Sequence, residues 1–174
     1  RYPLRDLEGL GIEAGSNPMD KAKRLKLIHM ARDFELDEPE AVVILEREMK
    51  CSDAEVRAAA ASAVCDYYHV PALVVACMDL ARKDGDEVVK VRAIQSLGYI
   101  LEDGAHFESE VPAEDSEELD RETYDSVKDL LVRLARDEKA SAEIGCNAVE
   151  ALGWLGGRPE VKSILEEFYA RPDP

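Results

Sequence analysis

Three histidines and four cysteines are the residues whose side chains could hold a metal ion or act as nucleophiles. A zinc or di-iron site needs such residues at short spacings, as in CxxC or HExxH, because the ligands must converge on one ion. The cysteines are instead 14, 12 and 69 residues apart, at Cys51, Cys65, Cys77 and Cys146. The histidines, His29, His69 and His106, are isolated from one another. The sequence therefore predicts no metal site, no cofactor and no catalytic centre.

The composition is that of a soluble globular protein. The chain has 174 residues, of which 46% are hydrophobic and 34% charged, and this length suits one ordinary core. No apolar run approaches the ~20 residues that a membrane span requires, and the first residues do not resemble a signal peptide. We expect a cytoplasmic protein whose cysteines are small core residues in a reducing compartment.

Negative charge is concentrated in one segment. The formal net charge is −16, and residues 102–125 contain 11 acidic residues and one basic residue. A field of this sign repels nucleic acid phosphates and anionic lipid headgroups. We therefore expect neither nucleic acid nor a membrane as the partner, and a protein or peptide with a basic surface is favoured.

An alanine-rich pattern recurs along the chain. The stretch DAEVRAAAASAVC begins at Asp53, and its order of apolar, basic, small and free positions returns 33 residues later and again 55 residues after that. The pattern is apolar-basic, two free positions, two small or apolar residues, one free position, then small-apolar-small. A free position is one at which the pattern fixes no residue type. A weaker copy lies 33 residues upstream, at Lys23 and Arg24. Recurrence at fixed spacing is typical of a repeat array.

Each copy is followed by a second helical segment, so the predicted unit is a helical hairpin. Prolines near three second-helix starts and the aspartates Asp53 and Asp86 before two first helices fit helix N-termini. We predict an N-terminal extension at 1–19 and one domain at 20–170. Its helices are predicted at 20–32, 39–50, 53–68, 71–83, 86–102, 117–136, 141–155 and 159–169. The units are about 20–50, 53–83, 86–136 with an acidic insertion at 103–120, and 141–170.

Alanine at the centre of the first helices has a physical purpose in this arrangement. A first helix packs against its own partner helix and against both neighbouring units, so large side chains on every side would hold the helix axes apart. Alanine allows close approach and has the highest helix propensity. We expect Ala60, Ala93 and Ala148 to occupy equivalent buried positions.

These residues, with DAEVR and the later SLG and ALG sequences, resemble the HEAT repeat family, in particular the short repeats of phycobilisome lyases. The resemblance implies an all-α, right-handed α-α superhelix of about four hairpins, with second helices lining a concave face. It also implies binding rather than catalysis. By the resemblance, a set of charged residues is structural: Asp53, Asp86, Arg57, Lys90 and Arg92.

The first candidate binding surface is the outward side of the second helices, opposite their apolar centres. Charges of both signs alternate along this side, which suits a protein or peptide surface and equally a solvated surface without a ligand. We call it the charged stripe; it consists of Glu40, Arg47, Asp79, Lys83, Asp129, Arg133 and Glu166. Tyr68 is a further candidate, as an interface anchor. Tyr99 and Trp154 share one repeat position, which predicts a common packing site.

The second candidate surface is the acidic insertion, read as an electrostatic docking segment for a basic partner or as a solvated loop. Its candidate residues are Glu108, Glu110, Glu114 and Asp115. Asp115 or Ser116 is expected to cap a helix that starts near Glu117.

The predicted function is a non-enzymatic interaction scaffold. The alternatives are a lyase-like helper that binds a bilin or another small ligand in the concave groove, and salt adaptation without a partner. The oligomeric state stays open.

Overall fold

Eight α-helices make up the computed structural model, which describes residues 20–103, 120–153, 155 and 159–170. No strand occurs in these ranges. The helices, in chain order, are α1 (Lys21–Arg32), α2 (Glu38–Glu48), α3 (Ala54–Ser62), α4 (Pro71–Lys83), α5 (Glu87–Asp103), α6 (Arg121–Arg136), α7 (Ala142–Gly153) and α8 (Pro159–Tyr169). The predicted all-α array of helical hairpins is confirmed. The right-handed sense of a superhelix stays a prediction.

The helix starts follow the local signals of the sequence. The Asp53 carboxylate accepts hydrogen bonds from the amides of Glu55 and Val56, at 2.9 and 3.2 Å, and these bonds lower its pKa. Asp86 accepts from the amide of Val88 at 3.0 Å. Proline stands in the first turn of α2, α4 and α8, where its missing N–H costs nothing.

The first helices, α1, α3, α5 and α7, lie side by side, and their small residues form the contacts. Ala60, Ala93 and Ala148 are each fully buried, as predicted. Helices α5 and α7 approach closely, because a Cβ added at Gly98 would lie 2.8 Å from Cβ of Ala151. Side chains of any size at this crossing would force the two helices apart.

Two helix boundaries differ from the sequence predictions by more than two residues. The helix predicted for 53–68 ends at Ser62, and a short 3₁₀ turn follows at Val64–Tyr67. The Ser62 hydroxyl donates to the carbonyl of Ala58 at 3.0 Å, a contact that bends helices. The turn buries Tyr67, whose hydroxyl donates to the carbonyl of Ala31 at 2.5 Å.

The start of α6 is the second correction. This helix begins at Arg121, not near Glu117, because Asp120 provides the cap. Its carboxylate accepts from the amide of Thr123 at 2.9 Å and from the Thr123 hydroxyl at 2.6 Å. Asp115 and Ser116, the predicted caps, lie outside the described residues.

Two ionic contacts hold the first and second hairpins and the turns at their ends. Arg57 of α3 binds the Asp84 carboxylate with two hydrogen bonds, at 2.7 and 2.8 Å, and donates to the carbonyls of Cys51 and Ser52. Within the first hairpin, the carboxylate of Glu48 is fully buried and accepts from Arg24 and Arg47. Both contacts tie a turn or helix end to a neighbouring element. The expectation that Asp53, Asp86 and Arg57 are structural thus agrees with their contacts.

Candidate binding face

Two open grooves lie on the exposed side of the first helices. The first, which we call the α3 trough, runs over α3 between α1 and α5 and has a volume of about 690 Å³. The second, the α5 groove, lies between α5 and α7 and has a volume of about 550 Å³. Ser62 and Arg92 line both grooves. We call the surface that contains them the first-helix face.

Small side chains form the floor of the α3 trough. Ala54, Ala58 and Ala59 of α3 line it, so the middle helix is lower than its neighbours. His29 and Arg32 of α1 form one wall, and Val88 and Arg92 of α5 form the other; Val88 is 61% exposed. The alanines that permit close helix packing on one side of α3 therefore leave a channel on its other side.

The charged groups of the trough differ in the partners that they bind. Its two carboxylates are occupied, because Glu55 forms an ion pair with Lys21 and Asp86 caps α5. The guanidinium of Arg32 lies 3.9 Å from Asp33, at the limit of an ion pair. The trough lining thus holds the guanidinium groups of Arg32 and Arg92 together with the engaged carboxylates of Glu55 and Asp86.

A chain of hydrogen bonds crosses the α5 groove. Arg92 donates to the side-chain oxygen of Gln95 at 3.0 Å, and Gln95 donates to the side-chain oxygen of Asn147 at 2.8 Å. Asn147 in turn donates to the main-chain carbonyl of Glu143 at 2.8 Å. Tyr99 lies about one turn further along the same side of α5 and is 54% exposed. The groove thus combines oriented amides with one aromatic ring.

Several residues of the grooves occupy the free positions of the repeat. At the second free position the successive units carry Lys26, Ala59, Arg92 and Asn147. At the third free position they carry His29, Ser62, Gln95 and Glu150. The repeat keeps its core residues similar and changes those that face the grooves. Sequence reasoning missed these residues because it searched for what the units share; the changing positions were the signal that could have found them.

One expectation about these helices is wrong. Tyr99 is exposed, so it does not fill a packing site. Arg92 is exposed and donates to Gln95, and its structural role stays a prediction. Both residues lie on the side of α5 that lines the α5 groove. Trp154 lies outside the described residues.

The charged stripe of the second helices is largely paired within each helix. Lys83 lies 2.9 Å from Asp79, Arg133 lies 3.9 Å from Asp129, and Glu166 lies 3.9 Å from Lys162. Arg47 is directed at the buried Glu48, and Glu40 is half-buried. Pairs four residues apart on an exposed helix offset each other's charge and stabilise it only slightly. The structure does not gather these residues into one pocket, and their part in binding stays a prediction.

The remaining predicted residues divide between a packed turn and an undescribed segment. Tyr68 is half-buried, and its ring meets that of His69 edge-on with centroids 5.9 Å apart. His69 approaches the Glu38 carboxylate at 3.0 Å, which ties the turn to α2. The acidic candidates, Glu108, Glu110, Glu114 and Asp115, lie outside the described residues, as does His106.

The thiols are inert where they are enclosed. Cys77 is fully buried, and burial raises the pKa of its thiol to about 12. Burial also raises the pKa of Cys65, whose thiol donates to the carbonyl of Ser62. Cys146 is exposed, which contradicts the expectation that all the cysteines are core residues. Within the described ranges, no three His, Cys, Asp or Glu side chains converge as a metal site would require.

Comparison with known proteins agrees with this architecture. A sequence model of the family described as HEAT repeats matches residues 76–174, which is more than half of the chain. The chain belongs to the HEAT repeat family. No curated protein and no solved structure matches it. In the part of the chain that the structure describes, no helix has the length and apolar character needed to cross a bilayer.

Proposed function

We propose that this protein is a non-enzymatic scaffold that binds a protein segment along its first-helix face. HEAT repeat proteins commonly act as interaction scaffolds, which supports this class of function. The observation that carries the choice of surface is that two grooves meet at Ser62 and Arg92 and that their lining includes positions at which the repeats differ.

Rigid presentation supports this function. The helices that form the grooves are held by buried alanines and by the Arg57–Asp84 contact, so the groove residues are in place before a partner arrives. The hydrogen-bonded row from Arg92 to Asn147 fixes three long polar side chains in advance. A partner therefore loses less conformational entropy on association than it would on a mobile surface.

A selection from random peptides displayed on phage tests the assignment of the face. Peptides selected on the whole chain should protect backbone amides of α3, α5 and α7 from hydrogen exchange. Ala59→Trp fills the floor of the trough and should weaken their binding by at least about tenfold. Ala72→Trp, at an exposed position of α4, is the matched control and should leave binding unchanged. Protection confined to the second helices, or equal losses in both variants, would contradict the assignment.

The acidic run supports a further element of the proposal, which is steering of a basic partner. Residues 102–125 contain 11 acidic residues and one basic residue. The negative field of such a segment accelerates association with a positively charged partner. Replacing 104–119 by a short neutral linker should slow association and flatten its dependence on salt. Association at an unchanged rate would remove the steering. A cytoplasmic location is likewise our proposal, supported by the composition and the cysteine pattern.

The bilin alternative is supported less well by the groove. A tetrapyrrole needs extensive apolar contact, whereas the α5 groove is lined mainly by polar and small side chains. Tyr99 is the one aromatic residue among the described residues that line this groove. Mixing the protein with bilin and recording a visible absorbance band tests this alternative directly.

A further inference from the structure

The charge of the first-helix face changes sign from one end to the other. α1 contains five basic residues and no acidic one: Lys21, Lys23, Arg24, Lys26 and Arg32. α7 contains Glu143 and Glu150 and no basic residue. Between them, α3 and α5 carry both signs. Lys21 and Arg24 are paired with Glu55 and Glu48, so the positive end beside α1 comes from the exposed Lys23, Lys26 and Arg32. The end beside α7 is negative.

The positive end coincides with the α3 trough. Arg32 stands on the α1 wall and Arg92 on the α5 wall, with an alanine floor between them. The two carboxylates of the lining are engaged, Glu55 by Lys21 and Asp86 by the start of α5, and Arg32 also lies 3.9 Å from the exposed Asp33. A segment in this trough would meet a guanidinium from each side. Guanidinium groups bind carboxylates with paired, directed hydrogen bonds.

The negative end coincides with the far wall of the α5 groove. Glu143 and Glu150 are exposed on α7, and Glu150 lines the groove itself. Asn147 lies between them. Its side-chain N–H donates to the main-chain carbonyl of Glu143 and not to the Glu143 carboxylate. A basic side chain that follows the groove past Asn147 would meet these carboxylates.

We propose that the occupant of this face is one protein segment whose charge changes from acidic, over the α3 trough between Arg32 and Arg92, to basic, over Glu143 and Glu150 of α7. This inference rests on the proposed function and adds the chemistry of the partner. It also reconciles a basic partner, expected from the net charge, with a trough that carries guanidinium groups. Complementary charge at both ends fixes the direction in which the segment lies.

Three labelled synthetic peptides of equal length test the proposal by fluorescence anisotropy. One has a glutamate-rich half and a lysine-rich half, and each of the others keeps one charged half and has serine and glycine in place of the other. The two-signed peptide should bind the whole chain most tightly. Arg32→Glu combined with Arg92→Glu should weaken its binding by about tenfold or more and should not weaken binding of the lysine-rich peptide.

Matched variants separate local recognition from total charge. Arg82→Glu with Lys50→Glu makes the same change of net charge at exposed positions of α4 and of the turn after α2, and it should alter binding of the two-signed peptide by less than about twofold. Glu143→Lys with Glu150→Lys should weaken the two-signed and lysine-rich peptides but not the glutamate-rich one. Circular dichroism verifies that each variant is folded. Equal losses from the Arg82/Lys50 and Arg32/Arg92 pairs would overturn the proposal.

The phage-selected peptides distinguish failure of this inference from failure of the proposed function. If they protect α3, α5 and α7 but bind the Arg32/Arg92 variant as tightly as the unmodified chain, the face is the binding face and the charge assignment is wrong. If their protection falls on the second helices, both proposals are wrong. Selected peptides that carry acidic residues and lose affinity in the Arg32/Arg92 variant support both.

Discussion

The Arg57 guanidinium donates two hydrogen bonds to the Asp84 carboxylate, so a residue of α3 holds the turn that follows α4. The same guanidinium reaches the carbonyls of Cys51 and Ser52 in the turn before α3. One side chain thereby fixes the turns at both ends of the second hairpin. The side chain of Asp84 is 5% exposed, which places this contact among those whose loss is costly.

Removing the guanidinium should therefore destabilise the fold. In Arg57→Met, Asp84 keeps its charge without its partner and two main-chain carbonyls lose a donor. We expect the free energy of unfolding in urea to fall by about 3 kcal/mol. Arg133→Met removes an exposed arginine of α6 and should cost less than about 1 kcal/mol. Equal losses in the two variants would show that Arg57 contributes no more than a surface pair.

The same contact should make stability depend on acid. Hydrogen bonds from Arg57 are the main reason that the pKa of Asp84 lies below its usual value. A depressed folded-state pKa contributes stability above the unfolded pKa, about 4, and the contribution is lost as the pH falls through the folded-state pKa. The gap in unfolding free energy between the unmodified chain and Asp84→Asn should be largest at neutral pH and shrink below about pH 4. A gap that is constant with pH would contradict the assignment.

Gly98 tests the close approach of α5 and α7. A Cβ at this position would lie 2.8 Å from Cβ and 3.1 Å from Cα of Ala151, so the helix backbones must move apart. Gly98→Ala should lower the free energy of unfolding by about 1–3 kcal/mol despite the higher helix propensity of alanine. The control is Gly153→Ala, since no atom lies within 4 Å of its added Cβ. That variant should be neutral or slightly stabilising, and a Gly98→Ala protein as stable as it would refute the tight crossing.

Thiol labelling tests the burial pattern. Cys146 is exposed, whereas Cys77 is enclosed and its thiol has a pKa of about 12. An alkylating reagent at mildly alkaline pH should modify Cys146 first and leave Cys77 unmodified until the protein is unfolded, because the thiolate is the reactive form. Peptide mapping by mass spectrometry identifies the modified sites. Early modification of Cys77 in the folded protein would place α4 outside the core.

Local signals predicted most of the scaffold. Asp53 and Asp86 cap helices because a carboxylate before a helix can reach its first amides, and that geometry depends on a few adjacent residues. The buried alanines were predictable because the repeat places them at matched positions. The break at Ser62 was not, since it depends on a hydroxyl that bonds within α3 and on burial of Tyr67 against α1.

The candidate site was predicted less well, for a different reason. A helical wheel identifies which residues leave the core, and it placed Asp79 and Lys83 on a surface correctly. Their spacing of four residues also indicated that the two side chains meet, and the structure shows this pair at 2.9 Å. The wheel cannot show that Arg92 of one helix and Asn147 of another lie across a shared groove, because that depends on the spacing between helices.

The alanine floor of the α3 trough has a consequence for how such a surface can diverge. Its neighbours on the outward side, at the second and third free positions of each hairpin, are not needed for burial, so exchanging them leaves the interior intact. Lys26, Ala59, Arg92 and Asn147 are four different side chains at one repeat position. Substitutions at such positions would change which target the surface recognises while the packed interior stays the same.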